Sequence, residues 1–178
     1  SESFYGKLTN DLVAAVEQHV FVYRPVIPLN TVMRLHLVVP RKAEFEEYAR
    51  KLSLPVRFLG LLPYPTMCGV LQACDMVVNP IVGRSAASII NKHADYAACG
   101  RPVLNTQNSP EYRRLVETYE MGFNCASGDA AALADKLSRL MAEPALRLRM
   151  GANARRCAEE RFDRQNSYQA LVKAITEA

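Results

Sequence analysis

Between positions 83 and 95 the chain brings together residue types that can hold a phosphate and a sugar hydroxyl. Gly83 and the small residues Ser85, Ala86 and Ala87 let an anion approach the backbone, and the free N–H groups opening the next helix would meet it. Arg84 and Lys92 offer countercharge. Asp95 follows Lys92 by three residues, about one helical turn, so the cation and the carboxylate share a face. A cation for a pyrophosphate and a carboxylate for ribose hydroxyls make a nucleotide site. A plain surface loop closed by a Lys92–Asp95 ion pair satisfies the same spacing, and Gly100-Arg101-Pro102 reads equally as a helix end released into a strand. Taken alone, these residues reach a phosphate-ligand site and stop there.

The elements that must position them follow an α/β pattern. Short apolar runs at Leu35–Val39, Val56–Leu59, Met76–Asn79 and Pro102–Asn105 predict strands buried on both faces of a parallel sheet, and Gly122–Cys125 a further short one. Between them, apolar residues recur at helical spacing. Leu12, Val13, Val16 and Val20 share one face, Phe45, Tyr48, Ala49 and Leu52 a second, and Leu133, Leu137, Leu140 and Met141 a third. Ser109-Pro110-Glu111 supplies an N-cap, a first-position proline and a first-turn acid; Asp129 caps the helix through Leu140, and Pro144 starts another. Val22 to Met33, broken by Pro25 and Pro28, reads as a connection. The chain leads almost directly into a helix where a doubly wound sheet opens with a strand, so either the first strand is absent or the fold opens unusually.

With 178 residues and 49% hydrophobic and 22% charged composition, one packed core is expected. Five cysteines, Cys68, Cys74, Cys99, Cys125 and Cys157, form no C-x-x-C pair and read as reduced core thiols of a cytosolic protein. His19, His36 and His93 are isolated, and no metal-ligand spacing is present, so the histidines read as structural or surface residues and no metal is expected. No run approaches bilayer-spanning length. The net charge of +4 suits anionic ligands. The basic stretch Arg147 to Arg164 alternates with Glu159, Glu160 and Asp163 and reads as a solvated helix face rather than a nucleic-acid surface.

Four segments read together are more specific than any one of them. They are Phe58-Leu59-Gly60-Leu61-Leu62-Pro63, Ala73 to Pro80, Asn91-Lys92-x-x-Asp95-Tyr96-x-Ala98-x-Gly100-Arg101-Pro102-Val103, and Gly151-x-Asn153-Ala154-Arg155 with Arg161 to Arg164. In that order they resemble the C-terminal domain of retaining glycosyltransferases of the GT-B fold, family 4 in particular. The resemblance runs from about Leu35 to the C-terminus and implies a Rossmann-like parallel sheet flanked by helices, one half of a GT-B fold. By position, Asp95 falls on the second glutamate of the family's Glu-x7-Glu motif, which binds ribose. Ala87 stands where the first glutamate belongs, a departure shared with a subgroup common among bacterial surface-polysaccharide enzymes that carries the Asn91-Lys92 variant. Leu61, Leu62 and Pro63 match the base-cradling segment. Gly83, Arg84, Ser85, Ala86, Ala87 and Ser88, with Asn91 and Lys92, match the diphosphate and sugar region. The diphosphate-holding arginine and lysine of the family belong to the first strand and the helix after it; Lys7 is the candidate left for the lysine.

The resemblance further implies transfer of a hexosyl or N-acetylhexosaminyl group from a nucleotide-sugar donor, UDP-linked in preference to GDP-linked, in surface-polysaccharide or glycolipid synthesis. No metal cofactor is implied. The expected partners are the donor, an N-terminal acceptor-binding domain supplying part of the catalytic groups, and an acceptor sugar or polyprenyl-linked glycan, with no nucleic acid. The expected location is cytoplasmic, at most peripheral on the inner membrane face. A non-catalytic nucleotide-binding or regulatory module of the same fold is the alternative, and the chain by itself is expected to bind without transferring.

Overall fold

The computed structural model describes residues 20–26, 32–38, 46–47, 50–51, 56–59, 62–81, 89, 91–163, 168–169, 172–173 and 175–176. The strands are β1 (Val20–Val26), β2 (Val32–Val38), β3 (Val56–Phe58), β4 (Met76–Asn79), β5 (Val103–Asn105) and β6 (Gly122–Asn124). The helices are α1 (Tyr64–Gln72), α2 (Asn91–Ala98), α3 (Pro110–Thr118), α4 (Ala130–Ala142) and α5 (Pro144–Cys157), the last running into a π-helical turn, Ala158–Phe162. One sheet takes the order β3-β2-β1-β4-β5-β6, the spatial order of a dinucleotide-binding sheet.

In this sheet β4, β5 and β6 run parallel, as do β2 and β3, and helices flank it as expected. The exception is β1, which is antiparallel to both β2 and β4. This corrects two expectations. The Val22 to Met33 segment is not a mere connection, because residues 22–26 and 32–33 are strand, and Val20 opens β1 instead of continuing a helical face. The first described strand, β1, is thus an antiparallel one. A five-residue link between β1 and β2 forces the antiparallel sense, since a parallel crossover needs a dozen residues or more. Pro25 is tolerated because β1 pairs with β4 only over Phe21–Tyr23; at Pro25 the one ladder is with Met33 of β2. Leu12, Val13 and Val16 lie outside the described residues, as do Phe45, Tyr48, Ala49 and Leu52, although residues 46–47 and 50–51 are helical.

The expected punctuation is present. Ser109 Oγ accepts from the Tyr112 N–H at 3.3 Å with Pro110 at the first helical position, and Asp129 Oδ1 accepts from the Ala132 N–H at 2.9 Å. Gly100 takes φ +65° to end α2 and release the chain toward β5. A side chain on Gly151 of α5 would put its Cβ 2.5 Å from the Gly100 carbonyl oxygen, so two backbones meet there. That close approach gives a packing reason for Gly151, while Gly100 is required by its positive φ.

The core lies between the sheet and α1, α2, α3 and α5, built on Leu71, Val77, Tyr96, Val103, Tyr112, Val116, Met121 and Cys157. Arg147 corrects the solvated-face reading at one position. It is buried, its Nε lies 3.8 Å from the Asp75 carboxylate, and its Nη1 donates to the Leu140 and Met141 carbonyls at the end of α4. It thus satisfies the helix-end acceptors that α4 cannot satisfy itself. Further along, Arg155 pairs with Glu159 at 2.7 Å on the exposed face, as expected.

Candidate functional site

The C-terminal ends of β4, β5 and β6 each finish on asparagine, and the registers Asn79↔Asn105 and Asn105↔Asn124 set the three side by side. Asn79 Nδ2 donates to Asn105 Oδ1 at 3.0 Å, and Asn105 Nδ2 donates to Asn124 Oδ1 at 2.9 Å. The ladder continues into α3, where Asn124 Nδ2 donates to the Arg113 carbonyl and to Glu117 Oε1, both at 2.9 Å. At its other end Asn79 Nδ2 meets His93 Nε2 of α2 at 3.1 Å. An amide N–H can only donate, so in this contact Nε2 is the acceptor.

His93 is fully buried and stacked flat on Tyr112 of α3, with ring centroids 3.4 Å apart. Burial, against a Gln107 hydrogen bond and with help from the adjacent Lys92 charge, pushes its pKa down to about 3, so the ring is neutral. It is structural, as expected, but not isolated: it pins the first turn of α2 over the end of β4. Two asparagines at strand ends, Asn79 and Asn105, with His93 on the helix itself, thereby fix the helix that carries the predicted ligand residues. Thr106 reinforces the crossing, its Oγ1 donating to the Ile81 carbonyl at 3.1 Å, and Ser127 Oγ donates to the same carbonyl at 3.2 Å.

On this anchored helix Asn91 is exposed at the start, Lys92 half-buried and Asp95 half-exposed one turn on. Burial pushes the Lys92 ammonium below its usual pKa. The Asp95 carboxylate finds a partner on another element. Tyr64, the first residue of α1, donates its phenol to Asp95 Oδ1 at 2.8 Å. That bond to a carboxylate holds the Tyr64 phenol above its ordinary pKa, with a Cys68 hydrogen bond adding to it. Leu62, half-buried, and exposed Pro63 immediately precede α1. The structure therefore brings Leu62, Pro63, Asn91, Lys92 and Asp95 to the same edge of the sheet. Leu61, Gly83, Arg84, Ser85, Ala86, Ala87, Ser88 and Lys7 lie outside the described residues.

Sequence reasoning missed Tyr64 and the asparagine ladder. The available signal for the ladder was that three predicted strands contain asparagine at or near their ends. Tyr64 carried none, since 31 positions separate it from Asp95.

Of the cysteines, Cys74, Cys125 and Cys157 are buried core thiols; Cys68, on α1, and Cys99, just past the end of α2, are only half-buried. All five are free. Among the described residues no cluster of three or more His, Cys, Asp or Glu is placed to hold a metal ion, and no helix is long and apolar enough to cross a membrane.

Comparison with known proteins agrees with this architecture. A phosphatidyl-myo-inositol mannosyltransferase from Mycobacterium leprae is 32% identical over 94 residues, 53% of this chain and 24% of that protein. Among solved structures, Anabaena HepE in complex with UDP superimposes with a TM-score of 0.65 at 22% identity, covering 76% of this chain and 36% of that one. Sucrose-phosphate synthase from Thermosynechococcus elongatus gives 0.67 at 20% identity over 97% of this chain and 43% of that one. The chain spans less than half the length of each of these proteins. The family model for glycosyl transferases group 1 matches residues 6–143, and with the GT-B-like sheet in place the chain belongs to that family.

Proposed function

We propose that this chain is the donor-binding, C-terminal half of a retaining glycosyltransferase, taking a UDP-sugar in preference to a GDP-sugar. The observation that carries the reading is Asp95, a half-exposed carboxylate on a helix pinned to the strand ends, with its Oδ1 already oriented by a phenol. Ligands of open α/β sheets bind at that edge. The UDP in the HepE structure supports the choice of base by likeness of fold.

In this reading Asp95 accepts hydrogen bonds from the ribose diol. The opening turn of α2, with Asn91 and Lys92, faces the diphosphate. Gly83 to Ser88 line the phosphate and sugar, and Leu61 to Pro63 hold the base. Charge builds on the diphosphate as the sugar departs, and Lys92 with the helix N–H groups stabilises it without reorganisation. This chemistry needs no metal. Acceptor groups belong to an N-terminal domain closing over this one, which aligns the reactants and excludes water. The acceptor is a sugar or polyprenyl-linked glycan of surface-polysaccharide or glycolipid synthesis, reached from the cytoplasmic face of the membrane.

Ala87, in place of an acidic sugar contact, favours a second reading in which the fold binds nucleotide without turnover. Both readings have this chain alone bind UDP and transfer nothing. Calorimetric titration with UDP and GDP tests them together. Asp95→Ala should weaken UDP by about 1.5–3 kcal/mol, roughly ten- to a hundredfold, through loss of hydrogen bonds to a charged acceptor. Unchanged affinity would remove Asp95 from the site.

A further inference from the structure

We propose that Tyr64 is a positioning residue for the ribose, fixing the Asp95 carboxylate before the nucleotide arrives. The inference deepens the nucleotide-site reading and rests on it. Tyr64 stands at the first position of α1, and 62% of it is exposed, so its ring contributes little to the core. Its hydroxyl nonetheless spans from α1 to α2 and donates to Asp95 Oδ1 at 2.8 Å. One turn further along, the Cys99 thiol, just past the end of α2, lies 3.9 Å from the Cys68 carbonyl oxygen of α1, a second point where the two elements meet. The phenol therefore approaches Asp95 from a separate helix.

A carboxylate has about four acceptor positions, and a vicinal diol needs two of them in a defined plane. An unrestrained aspartate on a helix surface loses side-chain freedom when it takes up that plane, and binding is weakened accordingly. Tyr64 occupies one position on Oδ1 and restricts rotation of the group, leaving Oδ2 for the diol. Its hydroxyl sets the readiness of Asp95 for ribose, and so discrimination in favour of a nucleotide carrying both ribose hydroxyls. Leu62 and Pro63 sit directly before Tyr64, so the residues proposed for the base and the one orienting the ribose acceptor are adjacent in the chain.

The test uses the whole 178-residue chain and four proteins: the parent, Tyr64→Phe, Asp95→Asn and the double variant. Each is titrated by calorimetry with UDP and with 2′,3′-dideoxyuridine diphosphate, after thermal unfolding shows that it is folded. Tyr64→Phe removes only an exposed hydroxyl, so an unchanged melting temperature is expected. The expected result is a loss of about three- to tenfold in UDP affinity for Tyr64→Phe. Dideoxy affinity should not change, and the double variant should bind UDP no more weakly than Asp95→Asn. Equal UDP affinity for the parent and Tyr64→Phe overturns the role of Tyr64 while leaving Asp95 in place. So does an equal loss toward both nucleotides, which is the mark of a merely structural change. If the parent binds no UDP, or Asp95→Asn binds it as well as the parent does, the nucleotide-site reading fails and takes this inference with it.

Discussion

Replacing Asn105 with alanine removes the middle of the asparagine ladder, and the structure lets its cost be worked out. Asn105 uses every hydrogen-bonding position of its amide. Oδ1 accepts from Asn79 Nδ2 at 3.0 Å and from the Gln107 N–H at 3.1 Å, while Nδ2 donates to the Gln107 carbonyl at 3.2 Å and to Asn124 Oδ1 at 2.9 Å. Asn79 keeps His93 as a partner, and half-exposed Asn124 can turn to water, so neither adds much. The N–H and carbonyl of Gln107 are different, because that residue is fully buried. Two hydrogen bonds to buried groups lost at about 1–3 kcal/mol each put the loss at about 2–6 kcal/mol. At roughly 2–4 °C per kcal/mol for a domain of this size, the midpoint of thermal unfolding falls by about 5–20 °C. Urea denaturation with an unchanged m-value measures the loss directly. A loss under about 1 kcal/mol would mean that the ladder is not the framework described here.

Gly151→Ala should destabilise, although alanine ordinarily favours a helix by about 1 kcal/mol over glycine. The new Cβ would lie 2.5 Å from the Gly100 carbonyl oxygen, a backbone atom with no rotamer to yield. Overpacking of this kind costs about 1–3 kcal/mol, and a raised melting temperature would contradict the close approach. His93 makes stability depend on acid. Its folded pKa of about 3 lies below the 6.5 of the free side chain, so the unfolded chain binds the extra proton between those values. Its contribution is present above pH 6.5 and is lost as pH falls toward 3, with a slope approaching about 1.4 kcal/mol per pH unit. Urea denaturation at pH 7 and pH 5 should show a smaller difference in His93→Gln than in the parent; equal differences would exclude the imidazole as the source.

What was legible in the sequence is what local chemistry determines. Ser109 and Asp129 cap their helices, Pro144 starts one, and Met76–Asn79 is a strand in full, because each rests on residues within one turn or one run. The hairpin of β1 and β2 was hidden by Pro25 and Pro28, which read as breaks. Pro25 fits because pairing with β4 stops two residues short of it, a fact of register rather than composition. Asp95 was singled out by its spacing to Lys92 and by the family motif. Its partner was not, because the Tyr64 bond depends on how α1 lies against α2. The asparagine ladder is similar: its members lie 26 and 19 positions apart and meet only when three strands align. His93, set aside as an isolated histidine, takes its role from that alignment.

The central claim is that a nucleoside diphosphate binds at the strand-end edge beside the opening of α2. Titrating isotopically labelled chain with UDP and following its backbone amide signals tests this most directly. The account predicts saturable shifts concentrated at residues 62–64 and 91–95, absent in Asp95→Ala at the same UDP concentration. Shifts confined to the Gly100–Gly151 crossing at the other end of α2, or none at millimolar UDP, would contradict it.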